Sequence, residues 1–388
     1  MVPVSGDSFD SEGLESETLG QTIYGLMIAY NYSEIQYYID LAEPYVEWLL
    51  KFQYLNESSD GHGGFVKQYQ GGDSFTEIIS PRNGWILGAL SLYYHFTSDA
   101  TVKTAIDLSR GFIIDTLWDD TNDWFDYGYN TDTQTVTDST SWKDMDQGCY
   151  AVGLSLYYKY IVENATIKTV LDQQLNNPLD EFDINRHLFY RKSDCFEDLT
   201  YASTGYFWAS KAFNNDTYYD EALKIIKLVR ANYQQNQNGS IWYNTYCINT
   251  TGGFDGWGFT CSLPLLFALY EEEQDANYLE LFENQMFDLL PDILTGNYSV
   301  TRKRGSGDDW VNWQYMPSNA FIIAALQMYY NKIYKPNRPY LISTDKEITA
   351  SSYSGDKLTF TVSNTNFAGT TSTTKVYCGD KGEPTEVY

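Results

Sequence analysis

GWILGALSLYY at residues 84–94 and GCYAVGLSLYY at residues 148–158 align without a gap at an offset of 64, and this pair decides the fold. Self-similarity at a fixed period marks a repeat architecture. Carrying the same frame outward finds YGLMIAYNY around Leu26, YFWASKAF around Ser210, LPLLFALY around Leu266 and AFIIAALQMYY around Leu326. The anchors stand at positions 26, 90, 154, 210, 266 and 326, a nearly constant step, so six repeats fill residues 16–336.

Each anchor segment is apolar almost all round and carries small residues such as Gly88, Ala89, Gly153, Ala324 and Ala325. That pattern predicts helices buried on every side, an inner set. Between them lie segments with a polar stripe. In DEALKIIKLVRANY, Asp220, Lys224 and Lys227 fall at i, i+4 and i+7, while Leu223, Ile226 and Leu228 face inward. Similar stretches at 36–55, 100–116, 165–175 and 276–290 complete an outer set of five. From each outer helix to the next inner one the chain crosses a longer loop with a short alternating aromatic segment: GGFVKQY (63–69), WFDYGY (124–129), HLFYRK (187–192), SIWYNTY (240–246) and NYSVTRK (297–303). These read as short strands. Unequal loops put function at the long-loop end.

Six inner and about five outer helices in alternating hairpins predict an all-α fold, a closed α/α toroid. The chain resembles the six-hairpin glycosidase-like superfamily through repeat length and helix pattern, from position 16 to position 336. The resemblance implies inner helices around a pit, with loops at one end building a carbohydrate site. Squalene-cyclase and prenyltransferase toroids share the architecture, but their Gly-aromatic repeat has one faint counterpart here, DGHGGF at 60–65. The domain reading is an N-terminal extension at 1–15, the toroid at 16–336 and a β-rich segment at 340–388, where KLTFTVS (357–363) and STTKVYC (372–378) alternate. The run Lys335-Pro336-Asn337-Arg338-Pro339 stops helicity between the last two.

The formal charge is −27, from 52 acidic and 25 basic residues, which disfavours nucleic acid and anionic membrane as partners. An apolar fraction of 43% excludes wholesale disorder, and 388 residues suffice to bury about three quarters of the extended surface. No apolar run reaches the roughly 20 residues of a spanning helix, so no membrane insertion is expected. Seven Asn-x-Ser/Thr sequons, at Asn31, Asn56, Asn164, Asn215, Asn238, Asn249 and Asn297, favour a secreted or cell-surface glycoprotein. Five Cys show no CxxC, although Cys247 and Cys261 flank a Gly-rich turn and are candidates for one disulfide. Three His fit no triad motif, and no Asp-rich loop has the spacing of a calcium loop, so neither cofactor nor metal is expected.

Candidate chemistry lies in the loops ahead of the inner helices. Counting back from the anchors gives Glu77, Asp144 with Asp146, Glu197 with Asp198, Asp255, and Asp308 with Asp309. The bland account is N-capping, and Asp144 with Gln147 has the spacing of a capping box. Asp146, Asp255 and Asp309 sit among rings and amides, where one acid can hold a proton while another stays ionised, as glycosidic hydrolysis requires. Asp146 and Asp309 are the preferred acid and base, with Asp144 and Asp255 as further candidates. Trp124, Tyr127, Trp142, Trp242, Trp257, Trp310 and Trp313 offer stacking platforms for an oligo- or polysaccharide. Thirty-five Tyr outnumber all Lys and Arg together, and the YY pairs at 93, 157 and 329 read as structural. Arg302-Lys303-Arg304, with Arg82, Lys143, Arg191 and Lys192, suggests recognition of an anionic sugar. On that alternative the chain is a polysaccharide lyase or uronyl hydrolase, with His62 or Tyr69 as base. A further alternative is a glycan-binding or adhesive surface domain without turnover.

Overall fold

The computed structural model describes residues 15–71, 74–75, 78–79, 82–137, 143–176, 196–232, 256–289, 316–334, 346–354, 357–364 and 371–377. The chain falls into two compact units, Met1–Ala325 and Leu326–Tyr388.

Six inner helices stand where the anchors predict them: α1 (Ser16–Ser33), α3 (Asn83–Thr97), α5 (Lys143–Tyr160), α7 (Phe196–Phe213), α9 (Gly256–Glu273) and α11 (Met316–Tyr329). The five outer helices among the described residues are α2 (Tyr37–Leu50), α4 (Ala100–Phe112), α6 (Ala165–Asn176), α8 (Asp216–Asn232) and α10 (Ala276–Glu283). Single π-helical turns at Ile113–Leu117 and Asn284–Leu289 extend α4 and α10.

The inner helices approach so closely that small residues are obligatory. Gly20, Gly84 and Gly148 occupy one repeat position, each six residues before its anchor. A Cβ on Gly84 would stand 2.1 Å from the Cys149 carbonyl oxygen of α5, and one on Gly148 2.6 Å from backbone atoms of α7. Real Cβ contacts of that length do not occur, so α3, α5 and α7 are locked backbone to backbone. The ring closes where Gly25 of α1 meets Ala320 of α11 and the Tyr24 and Phe321 rings lie 5.7 Å apart.

Each inner-to-outer connection is a tight turn. Glu34, Ser98, Asn214 and Gln274 adopt left-handed backbone with φ between 51° and 58°. The amides of Glu34, Ser98 and Gln274 donate to the carbonyls of Tyr30, Tyr94 and Tyr270, which ends each helix. Asp99, Asn164, Asn215 and Asp275 then cap α4, α6, α8 and α10 through backbone N–H groups two residues on. On α8 the expected stripe holds: Leu223 and Ile226 are buried, and Lys224 pairs with Glu221 in solvent.

The opposite end carries the long loops. Within them β1 (Tyr69–Gly71) pairs with β2 (Ser74–Phe75), β3 (Ile78–Ile79) with β6 (Gly128–Asn130), β6 with β7 (Thr135–Thr137), and β4 (Trp118–Asp119) with β5 (Trp124–Phe125), all antiparallel. Two of the five aromatic segments thus contain strands, while those at 187–192, 240–246 and 297–303 lie outside the described residues. In the second unit, β8 (Lys346–Ser354), β9 (Lys357–Asn364) and β10 (Thr371–Tyr377) form one antiparallel sheet in the order β8-β9-β10; β9 and β10 stand where the alternation predicts strands.

Candidate functional site

The long loops are tied to the ring by a device absent from the sequence reading. Asn83, in the first turn of α3, accepts from the Phe65 N–H at 2.7 Å and donates to the Phe65 carbonyl at 3.0 Å. Gln147, at the equivalent position one repeat later on α5, treats Phe125 in the same way at 2.9 and 2.7 Å. Each carboxamide acts as one rung of a sheet, pinning a loop phenylalanine over the end of an inner helix. Gln147 is therefore committed to Phe125, and Gln174 donates to it as well. Its side chain does not serve the capping box expected with Asp144.

At this end four inner helices converge on one polar cluster. Glu17 is the second residue of α1, Arg82 immediately precedes α3, and Cys149 and Tyr201 lie in the second turns of α5 and α7. Arg82 Nε lies 3.0 Å from Glu17 Oε1, with the two side chains 14% and 13% exposed: desolvated but reachable. Gln21 Nε2 donates to the same Glu17 oxygen at 3.2 Å and to the Tyr201 hydroxyl at 2.9 Å. The guanidinium lies over the Tyr201 ring, 5.2 Å from its centre, and Arg82 Nη1 donates to the Cys149 sulfur at 3.6 Å.

Beneath the cluster the ring is filled with aromatic side chains. Trp85 meets Tyr24 edge-on at 4.9 Å and Tyr201 at 5.3 Å, and Phe321 completes the group. All four are buried. Trp208 donates its indole N–H to the Tyr24 hydroxyl at 2.8 Å, yet burial outweighs that bond and pushes the Tyr24 phenol above its ordinary value. Tyr24 stays protonated at neutral pH and serves as an uncharged floor.

Among the expected site residues, Arg82 belongs to this cluster, paired with Glu17. Trp124 and Tyr127 are half-buried at the long-loop end. The Tyr127 N–H donates to the Thr137 carbonyl, and its own carbonyl accepts from the Tyr150 hydroxyl. Positions 144 and 146 fall in the first turn of α5, five and three residues ahead of Cys149, about 7.5 and 4.5 Å along the axis. Position 257 is the second residue of α9. The side chains of Asp144, Asp146 and Trp257 lie outside the described residues, as do Asp255, Asp309, Trp142, Trp242, Trp310, Trp313 and Arg302 altogether. Cys261 is buried on α9, while Cys247 lies outside the described residues. His62 is half-buried, and its backbone N–H donates to the Ser59 carbonyl. Tyr93 and Tyr157 are buried on inner helices, as the structural reading of the YY pairs predicts.

Glu17, Gln21 and Tyr201 escaped the sequence reading. Glu17 and Tyr201 both stand nine residues before their anchors, Leu26 and Ser210, so the repeat frame itself held the signal.

This architecture recurs in other solved structures. A sugar epimerase from a ruminal bacterium superposes with a TM-score of 0.65 at 11% identity, covering 82% of this chain and 90% of that one. A family 76 glycoside hydrolase (mannosidase) from Bacteroides thetaiotaomicron gives 0.61 at 15%, covering 87% and 92%. The chain has the six-hairpin α/α toroid fold. An unsaturated glucuronyl hydrolase specific for heparin shares it at 0.59 and 10%, covering 81% and 85%. At such identities the likeness is one of fold. No family model matches the sequence, and no curated protein matches it.

Among the described residues no group of three or more His, Cys, Asp or Glu is arranged to hold a metal ion, and no helix is long and apolar enough to cross a membrane.

Proposed function

We propose that the chain is a carbohydrate-processing enzyme with its reacting centre at the long-loop end of the toroid, and that it hydrolyses glycosidic bonds. The observation that carries the reading is the convergence of α1, α3, α5 and α7 on Glu17, Arg82, Cys149 and Tyr201, with positions 144 and 146 one turn ahead of Cys149 on α5. Sugar recognition needs charged hydrogen-bonding groups beside aromatic rings, and both are here. Proteins named as a sugar epimerase, a mannosidase and a glucuronyl hydrolase share the fold, which supports the substrate class.

In this proposal Asp146 protonates the leaving oxygen and Asp309 activates water, the division of labour that glycosidic hydrolysis demands. Asp144 and Asp255 are the reserve pair. Secretion or cell-surface display belongs to the same proposal, supported by the seven sequons. Release of reducing ends from a panel of neutral and uronate-containing oligosaccharides tests it. Asp146→Asn and Asp309→Asn should each lower the rate by about 100-fold or more. Full activity in both single variants would overturn the assignment. Binding with no reducing-end release by the native chain would favour a glycan-binding domain instead.

A further inference from the structure

We propose that Glu17 and Arg82 form a substrate-contacting pair that grips two neighbouring hydroxyls of an uncharged sugar ring, with Gln21 as the positioning residue. The inference rests on the carbohydrate reading above and names its substrate class. A carboxylate accepts from one hydroxyl, and a guanidinium donates to the next, so a fixed pair of the two matches a vicinal diol. Here the pair is fixed from both sides. Arg82 Nε sits 3.0 Å from Glu17 Oε1, and Gln21 braces that oxygen while anchoring itself to the buried Tyr201 hydroxyl.

Stability does not account for such a pair. Desolvating two charges costs more than their attraction returns in many proteins, and neutral residues of similar volume often serve as well or better. The floor below is already apolar and aromatic, so a neutral filling was available. A second observation points the same way. Gln21 Oε1 and Trp85 Nε1, on two residues at most 1% exposed that both adjoin Tyr201, have no hydrogen-bond partner among the described residues. Buried polar atoms usually find a partner; these are two of ten among the described residues that do not, and both adjoin Tyr201.

The pair also argues against an anionic ligand at this point. A uronate approaching Arg82 meets the Glu17 carboxylate at the same guanidinium, within a chain of net charge −27.

The test uses the full chain, calorimetric titration and a defined panel: gluco-, manno- and xylo-oligosaccharides against oligogalacturonate and oligoglucuronate. We expect a neutral oligosaccharide to bind best. The double variant Glu17→Gln/Arg82→Met should lose at least 10-fold in affinity with Tm unchanged or raised. Arg82→Lys keeps the charge pair but loses the planar fork, and should weaken binding at unchanged Tm even should the double variant not fold. Native affinity in Arg82→Lys, or in the folded double variant, overturns the inference alone. Tighter binding of a uronate also overturns it. A native chain that binds no sugar on the panel overturns the carbohydrate reading and this inference with it.

Discussion

At the contact between inner helices α3 and α5, a Cβ on Gly84 would stand 2.1 Å from a backbone oxygen. On outer helix α4, the nearest atom to a Cβ on Gly111 is the end of the Asp115 side chain, 3.7 Å away. The same residue type answers to different physics in the two layers. Inner helices are held by shape, because their backbones touch and neither can yield. Outer helices are held by their ends and by one apolar stripe, as with α4, which Asp99 caps and Val102, Ala105 and Ile106 bury. A change in the inner layer therefore strains two helices, whereas one in the outer layer stays within its own.

Four substitutions would break or sharpen this contrast. Gly84→Ala should cost about 3 kcal/mol or more, since the obstructing atoms are backbone, and the urea midpoint would show it. Asn83→Leu should cost about 2–3 kcal/mol, because it leaves the Phe65 N–H and C=O buried without partners; hydrogen exchange at Phe65 should rise with it. Asp99→Ala, at an outer helix end, should cost about 1 kcal/mol in thermal unfolding. Gly111→Ala should change sign and stabilise by roughly 0.5–1 kcal/mol through helix propensity and a stiffer unfolded chain. Equal costs at Gly84 and Gly111 would dissolve the distinction between layers.

The ring was legible because its signal is redundant. Six apolar anchors at near-constant spacing can only be helices buried all round, and five striped segments between them can only be outer partners. The candidate site was legible in part. Arg82 announced itself as a rare cation in an acidic chain, but its partner did not. Glu17 stands among the acids of SEGLESET (11–18), so its charge alone did not single it out. The carboxamide rungs were hidden for another reason. An amide near a helix start has the same spacing whether it caps its own helix or reaches a distant strand, and only Phe65 and Phe125 in place decide between them.

The left-handed turns at Glu34, Ser98, Asn214 and Gln274 carry a consequence for descent. Three of them, Ser98-Asp99, Asn214-Asn215 and Gln274-Asp275, need only two residues to reverse the chain, so insertions and deletions find no room there. The repeats nevertheless differ in length, the step from Leu26 to Leu90 being longer than that from Leu154 to Ser210. The difference falls in the stretches between outer helices and the inner ones that follow. The two-residue turns leave no slack, whereas the longer connections have room for chains of different length.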